Sequence, residues 1–192
     1  MGVSDAAAEP DRSPRDRLVA AAVRLFYADG IQAIGVDRLI AEAGVTKATF
    51  YRHFPSKDDL VLAYLEHEDL VLHKVFGAST ADRSPDAAIE HFFTGMVAHS
   101  CGPGFRGCPF INAAAEYPDP AHPVRQFVTT HRTWFRTALH TVLTTLDHPS
   151  PTTAARQLVF LRDGILIGSY LDDPETTLPA VRQTIRDVLT TG

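Results

Sequence analysis

The sequence predicts an all-α protein of two parts, a small N-terminal three-helix module and a larger helical body. Three observations predict it. Apolar residues recur at helical spacing along the chain, helix-start and helix-stop residues punctuate it at regular intervals, and period-two alternation between hairpin turns is absent.

Residues 1–13 carry Asp5, Glu9, Asp11 and Arg12 around no apolar centre, so they read as a disordered tail and not as a signal peptide. Ser13, Pro14 and Asp16 then supply a capping hydroxyl, a first-turn proline and an acid at the third helical position. Leu18, Ala21, Ala22, Leu25 and Phe26 line one face of the helix that follows, and Gly30 ends it. Residues 36–43 make a short second helix, Gly44 breaks it, and Thr46 caps a third over 47–53. Ser56 and Asp59 open a long fourth helix carrying Leu60, Val61, Tyr64, Leu65 and Leu72 and ending near Gly77. This places a module at 14–60, with helix four continuing to about 76, and a second helical domain at 80–192. In that domain Ser84 and Pro85 start a helix to about 100, a loop covers 101–107, and a shorter helix covers roughly 109–117. Pro118, Pro120 and Pro123 make the next break, and helical patterns run over about 124–146, 152–171 and 178–189.

Composition removes several function classes. No apolar run approaches the ~20 residues of a membrane span, so no membrane partner is expected. Two cysteines, Cys101 and Cys108, are too few for a disulfide framework in a 192-residue chain, which fits a reducing cytoplasm. The net charge of -5 excludes a generally basic coat, so attraction to nucleic acid has to come from a local patch. Gly102, Gly104 and Gly107 have the G-x-G-x-x-G spacing, but they follow a helical pattern where a dinucleotide site needs a strand. His91, His99, Cys101 and Cys108 match no common zinc spacing, and no nucleophile elbow is present. Neither an enzyme, a metal nor a cofactor is expected.

The local patch lies in 36–54, VDRLIAEAGVTKATFYRHF, which has the form of a helix-turn-helix. Leu39, Ile40, Ala43, Val45 and Phe50 form the inner wedge, leaving Lys47, Ala48, Thr49, Tyr51, Arg52 and His53 outward or at the edges. From 44 to 57 there are Lys47, Arg52 and Lys57 and no acid, with His53 and Tyr51 as further phosphate donors. Small Ala48 and Thr49 allow close approach to base edges, where methyl and hydroxyl groups meet thymine and hydrogen-bonding atoms. Ser56, Lys57 and the start of helix four suit a backbone phosphate. With Arg38, these residues are the candidate double-stranded DNA contacts.

The stretch from about residue 18 to 65, LFYADGIQAIGVDRLIAEAGVTKATFYRHFPSKDDLVLAYL within it, resembles the N-terminal domain of TetR-family transcriptional regulators. The resemblance implies that Thr46, Lys47, Thr49, Tyr51, His53 and Lys57 contact DNA. Gly35 stands where the family has a capping Ser or Thr, and Ile40 where it has a small residue. The segment GFRGCPFINAAAEYPDPAHPVR also resembles a subset of the family. The resemblance further implies that the second domain dimerises and binds an effector.

Within that domain Phe92, Phe93, Met96, Phe110, Trp134, Phe135, Phe160 and Tyr170 are candidates for an apolar pocket, with His99, Asn112, His131 and Asp163 as polar anchors. Core packing is the commoner role for such residues. Residues 152–171 are apolar on more than one face, and Gly164 and Gly168 allow close helix approach. Together with Leu161, Ile165, Leu171, Val181, Ile185 and Leu189 they are the expected four-helix interface of a homodimer. The functional expectation is a repressor released from a near-palindromic operator by a small, largely apolar effector. The alternative is a helical small-molecule binder or enzyme that keeps the hairpin without using it.

Overall fold

The computed structural model describes residues 13–172 and 174–190, the side chains of Tyr170 and Pro174 excepted. The expected tail at 1–13 lies, apart from Ser13, outside the described residues. Those residues form nine helices and no strand: α1 (Pro14–Asp29), α2 (Val36–Ala43), α3 (Lys47–His53), α4 (Lys57–Thr80), α5 (Pro85–Ser100), α6 (Pro109–Glu116), α7 (Pro123–Thr145), α8 (Pro151–Leu171) and α9 (Pro174–Thr190). They group into two compact units, one up to Tyr64 and one from Leu65 onward, and the division falls inside α4.

Local chemistry accounts for the ends of the N-terminal helices. Ser13 Oγ accepts from the Asp16 amide at 3.2 Å and donates to the Asp16 carboxylate at 2.7 Å, satisfying an amide that the first turn leaves without a helical partner. Gly44 ends α2 in the left-handed region at φ 60. The amides of Gly44 and Val45 return to the carbonyls of Ala41 and Ile40 at 3.3 and 3.2 Å, the paired bonds of a Schellman stop. A residue with a Cβ is strained at that φ, so glycine makes the tight turn. Gly35 begins α2 without any side-chain cap, and Asp37 in the first turn is the acid nearest that end.

The N-terminal unit closes on Leu18, Ala22, Phe26, Ile34, Leu39, Phe50, Phe54, Leu60 and Tyr64, all buried. Of the expected wedge, Leu39, Ala43 and Phe50 are buried, whereas Ile40 and Val45 are only half-buried. Arg17 Nε donates to the Ala43 carbonyl at 3.1 Å and ties α1 to the end of α2.

In the C-terminal unit α5, α7, α8 and α9 enclose Ile89, Phe92, Phe93, Phe135, Leu139, Leu158, Ile165, Val181 and Ile185, joined by Phe76 of α4. Phe76, Phe92 and Phe135 meet ring to ring at 5.1 to 5.9 Å, the separation of edge-on and tilted aromatic pairs. Two boundaries differ from expectation. Helix α4 passes Gly77 and runs to Thr80, where hydroxyls of Ser79 and Thr80 bond back to Val75 and Gly77 carbonyls. Helix α9 starts at Pro174, four residues before Leu178, and accommodates Pro179 on an exposed side of its second turn. No helix among the described residues is long and apolar enough to cross a membrane.

Candidate nucleic-acid interface and interior polar cluster

Helix α3 is held by one apolar anchor and one polar cap. Phe50 is fully buried and sits edge-on to Tyr51 and tilted against Phe54. Thr46 Oγ1 accepts from the Thr49 amide at 3.1 Å, and the two threonine hydroxyls meet at 2.9 Å. With the inner side so fixed, Thr46, Lys47, Ala48, Tyr51 and Arg52 are exposed and Thr49 is half-buried. Arg52 has no ion-pair partner among the described residues.

Four of the expected contacts have surroundings that the sequence did not show. The stretch 44–57 lacks acids in sequence, but Asp37 of α2 reaches Lys47 at 3.6 Å. That pair is exposed, of a kind contributing roughly 0–1 kcal/mol, so a phosphate can replace the carboxylate. Arg38 is exposed and pairs with Asp29 at 2.9 Å. His53 is half-buried, with Nε2 enclosed and unbonded. Position 53 falls one turn after Phe50, which rotates it toward the wall of the module and away from the outward face. Lys57 is half-buried, its ammonium 6.0 Å from the Phe26 ring centre. The start of α4 is already occupied in part: Ser56 and Asp59 form a reciprocal cap, with Asp59 accepting from the Ser56 amide at 2.8 Å and from its hydroxyl at 2.6 Å. That carboxylate competes with a phosphate for the same end.

Inside the C-terminal unit a different arrangement appears. Asp69 of α4 accepts from His131 Nδ1 of α7 at 2.5 Å and pairs with His73 Nε2 at 3.3 Å. His131 stacks on Phe110 at 3.5 Å, and His73 stacks on Trp134 at the same spacing. Burial, above all, pushes the His131 pKa down to about 4 against the opposing effect of its hydrogen bond to Asp69. The ring is therefore neutral near pH 7, its proton on the nitrogen that faces Asp69, and Nε2 is left unbonded. Nearby, Asp163 receives Arg132 at 2.5 and 3.1 Å and Arg162 at 3.2 Å. Arg162 is buried, lies over the Phe135 ring at 5.4 Å and donates to Cys108 Sγ at 3.3 Å. No group of three or more potential metal ligands occurs among the described residues.

Of the residues expected to line a pocket, Phe110, His131, Trp134 and Asp163 meet in or beside this cluster. Phe92 and Phe135 are core, with Phe93, and Met96 packs against that core. His99 and Asn112 are exposed, the first edge-on to Phe105 and the second donating to the Arg106 carbonyl at 2.9 Å. Phe160 is 68% exposed on the outer side of α8 and lines no interior site. Tyr170 lies outside the described side chains. Asp69, His73, Arg162 and Cys108 were not among the expected anchors; the Asp69/His73 spacing on one helix face was the available signal.

The expected dimer residues also divide. Ile165, Val181 and Ile185 are buried inside their own chain, because α8 and α9 pack on one another and use those positions first. Leu161, Gly168 and Leu189 are half-buried. Outward on α8 stand Phe160, Gly164, Ile167 and Leu171, spaced as one helical stripe, with Ile167 and Leu171 54% and 72% exposed. Beside it Leu161, Gly164, Gly168, Thr176, Ala180 and Thr184 line an open groove of about 510 Å³ between α8 and α9.

Residues 18–64 match the family described as bacterial regulatory proteins, tetR family. The chain is 30% identical over 115 residues to the HTH-type transcriptional regulator LmrA of Bacillus subtilis, covering 58% of this chain and 61% of LmrA. It is 39% identical over 92 residues to the HTH-type transcriptional activator FasR of Mycolicibacterium smegmatis, covering 43% and 42%. The matched part is thus under two thirds of the length of either relative. A TetR-family transcriptional regulator from Streptomyces coelicolor superimposes with a TM-score of 0.86 at 42% identity, over 92% of this chain and 94% of that one. A TetR-type regulator from Streptomyces avermitilis does so with a TM-score of 0.81 at 29% identity, over 92% and 98%. These relatives are named as transcriptional regulators and not as enzymes. With the helix-turn-helix, its exposed cationic helix and a likeness that runs almost the full length of a solved relative, the chain belongs to the TetR family of DNA-binding transcriptional regulators.

Proposed function

We propose that the protein is a homodimeric repressor that leaves a near-palindromic operator when a small, largely apolar effector binds its C-terminal unit. The observation that carries this reading is the exposed face of α3: Lys47, Ala48, Tyr51 and Arg52 stand outward on a helix pinned by Phe50 and Thr46. Lys47, Arg52 and Tyr51 hold phosphates and set register, while Ala48 and Thr49 approach base edges. Arg38 and Lys57 serve as flanking phosphate contacts. His53 contributes through packing.

The apolar stripe of α8, Phe160, Ile167 and Leu171, supports pairing with a second copy, since exposed apolar side chains aligned on one helix gain by being covered. A two-fold pair presents two α3 helices to half-sites about one helical turn, ~34 to 36 Å, apart. An effector that binds one arrangement of the dimer better than the other shifts the population toward the arrangement that binds DNA less well.

Selection of bound duplexes from a random pool tests the reading: two related half-sites in inverted orientation are expected, and no enrichment at low salt overturns it. Activation uses the same residues, and FasR is named as an activator. Transcript levels in a deletion strain separate the two, rising for a repressor and falling for an activator.

A further inference from the structure

We infer that the effector is a small aromatic carboxylate bearing a hydroxyl group, its carboxylate taken by Arg162 and its hydroxyl by His131. This rests on the effector-responsive reading above and supplies the ligand's chemistry.

Besides His73 Nε2, which lies 3.3 Å from the Asp69 carboxylate as an ion pair, three buried polar atoms of the C-terminal unit lack a hydrogen-bond partner: Arg162 Nε, His131 Nε2 and Ser169 Oγ. The three residues are 4%, 3% and 8% exposed, so bulk water does not serve them freely. Arg162 and Ser169 lie seven residues apart on one face of α8, which packs on the α7 that carries His131. Native interiors pair nearly all such groups, and three orphans on adjoining helices mark a place that something else completes.

The requirements of each atom define the partner. Arg162 Nε is a donor only, and its neighbouring Nη2 is spent on a thiol sulfur, a weak acceptor that an oxygen anion displaces. Asp163 is shared between Arg162 and Arg132, so a single carboxylate serves two guanidiniums and a second carboxylate is accommodated. His131 presents the opposite need. With Nδ1–H given to Asp69, Nε2 is an acceptor and calls for a donor such as a hydroxyl. The neighbours of the two groups are aromatic: Phe110 stacks on the His131 ring at 3.5 Å, Trp134 lies 6.0 Å from it, and Arg162 lies over the Phe135 ring at 5.4 Å. Planar rings favour a planar guest.

Calorimetric titration of the full-length protein with salicylate, benzoate and phenol tests the assignment. Salicylate is expected to bind about tenfold more tightly than benzoate, which lacks the donor, and than phenol, which lacks the carboxylate, each tenfold being one missing polar contact. His131→Phe should erase the preference for salicylate over benzoate and keep that over phenol. Arg162→Lys, which keeps the charge and loses Nε, should weaken both carboxylates about tenfold against phenol; circular dichroism checks that each variant folds. Equal binding of the three probes, no binding up to about 10 mM, or an unchanged order in both folded variants overturns the inference. Operator affinity measured alongside separates the two levels. Selective salicylate binding with unaltered operator affinity keeps the ligand chemistry and removes effector control, whereas operator release by neutral apolar compounds without salicylate binding does the reverse.

Discussion

In the N-terminal unit, ion pairs sit at the surface, Arg24 with Glu42, Arg38 with Asp29 and Lys47 with Asp37, around an interior of Leu18, Phe26, Leu39 and Phe50. In the C-terminal unit, Arg162 and His131 lie among Phe110, Trp134 and Phe135, and some of their polar atoms have no partner. The first arrangement is stable and indifferent to what it touches: its core needs no ligand, and its surface pairs are weak enough to exchange for phosphates. The second costs stability, on the order of 1–3 kcal/mol for each unmet buried group. Among the described residues the N-terminal unit holds one such atom, His53 Nε2, and the C-terminal unit holds the rest, where the proposed effector would offset the cost.

If the C-terminal unit pairs through the outward stripe of α8, Ile167→Asp places a charge in the middle of it. Sedimentation should show a monomer at micromolar concentration, and operator affinity should fall by about 100-fold, because two linked heads gain on that order over one. The same substitution should leave the melting of the N-terminal unit unaltered. Val181 or Ile185 to Ala, by contrast, should destabilise each chain by about 2–4 kcal/mol without acting on pairing first, since both are buried within it.

Acid should separate the units as well. His131 has its pKa lowered to about 4 in the folded chain, from an ordinary 6.5. Between these values the unfolded chain binds a proton that the folded chain refuses, so folding stability is full above about 6.5, falls as the pH drops toward 4 and levels off below. Thermal melts across that window should follow this course, and His131→Phe should flatten it.

Smaller effects belong to the reading head. Arg52→Ala should weaken binding to every duplex by about tenfold at low salt and reduce the salt slope by about one, as the loss of one phosphate contact requires. Asp37→Asn should strengthen binding a few-fold, roughly 0.5 kcal/mol, by releasing Lys47 and removing a charge that repels phosphate. Fluorescence anisotropy over a salt series measures both.

The same contrast explains what could be read from the sequence. Four boundaries of the N-terminal unit are written in neighbouring residues: Ser13 with Asp16, Thr46 with Thr49, Ser56 with Asp59, and Gly44 with the two amides that turn back on α2. Periodicity likewise separated the buried Phe50 from the outward Lys47, Ala48, Tyr51 and Arg52, with the half-buried Thr49 and His53 at the edges. The interior cluster has no such local signature. Asp69 and His131 stand 62 residues apart and Cys108 and Arg162 54, so their meeting depends on how four helices pack. Which side of α8 is left outward was hidden for a related reason. An apolar α8 has more than one apolar side, and only the packing of α9 decides which side is used up by Ile165, Val181 and Ile185 and which is left outward.

Thr49 provides the most direct measurement, because it stands on α3 beside the small Ala48 and bonds to no base-mimicking charge. Binding of wild type and Thr49→Ala should be compared on the selected operator with every base pair substituted in turn. A helix that reads bases predicts altered preference at one or two positions in each half-site, mirrored across the dyad, with all other positions unaffected. A loss of equal size at every position, or a profile identical to wild type, contradicts the assignment of α3 as the reading element.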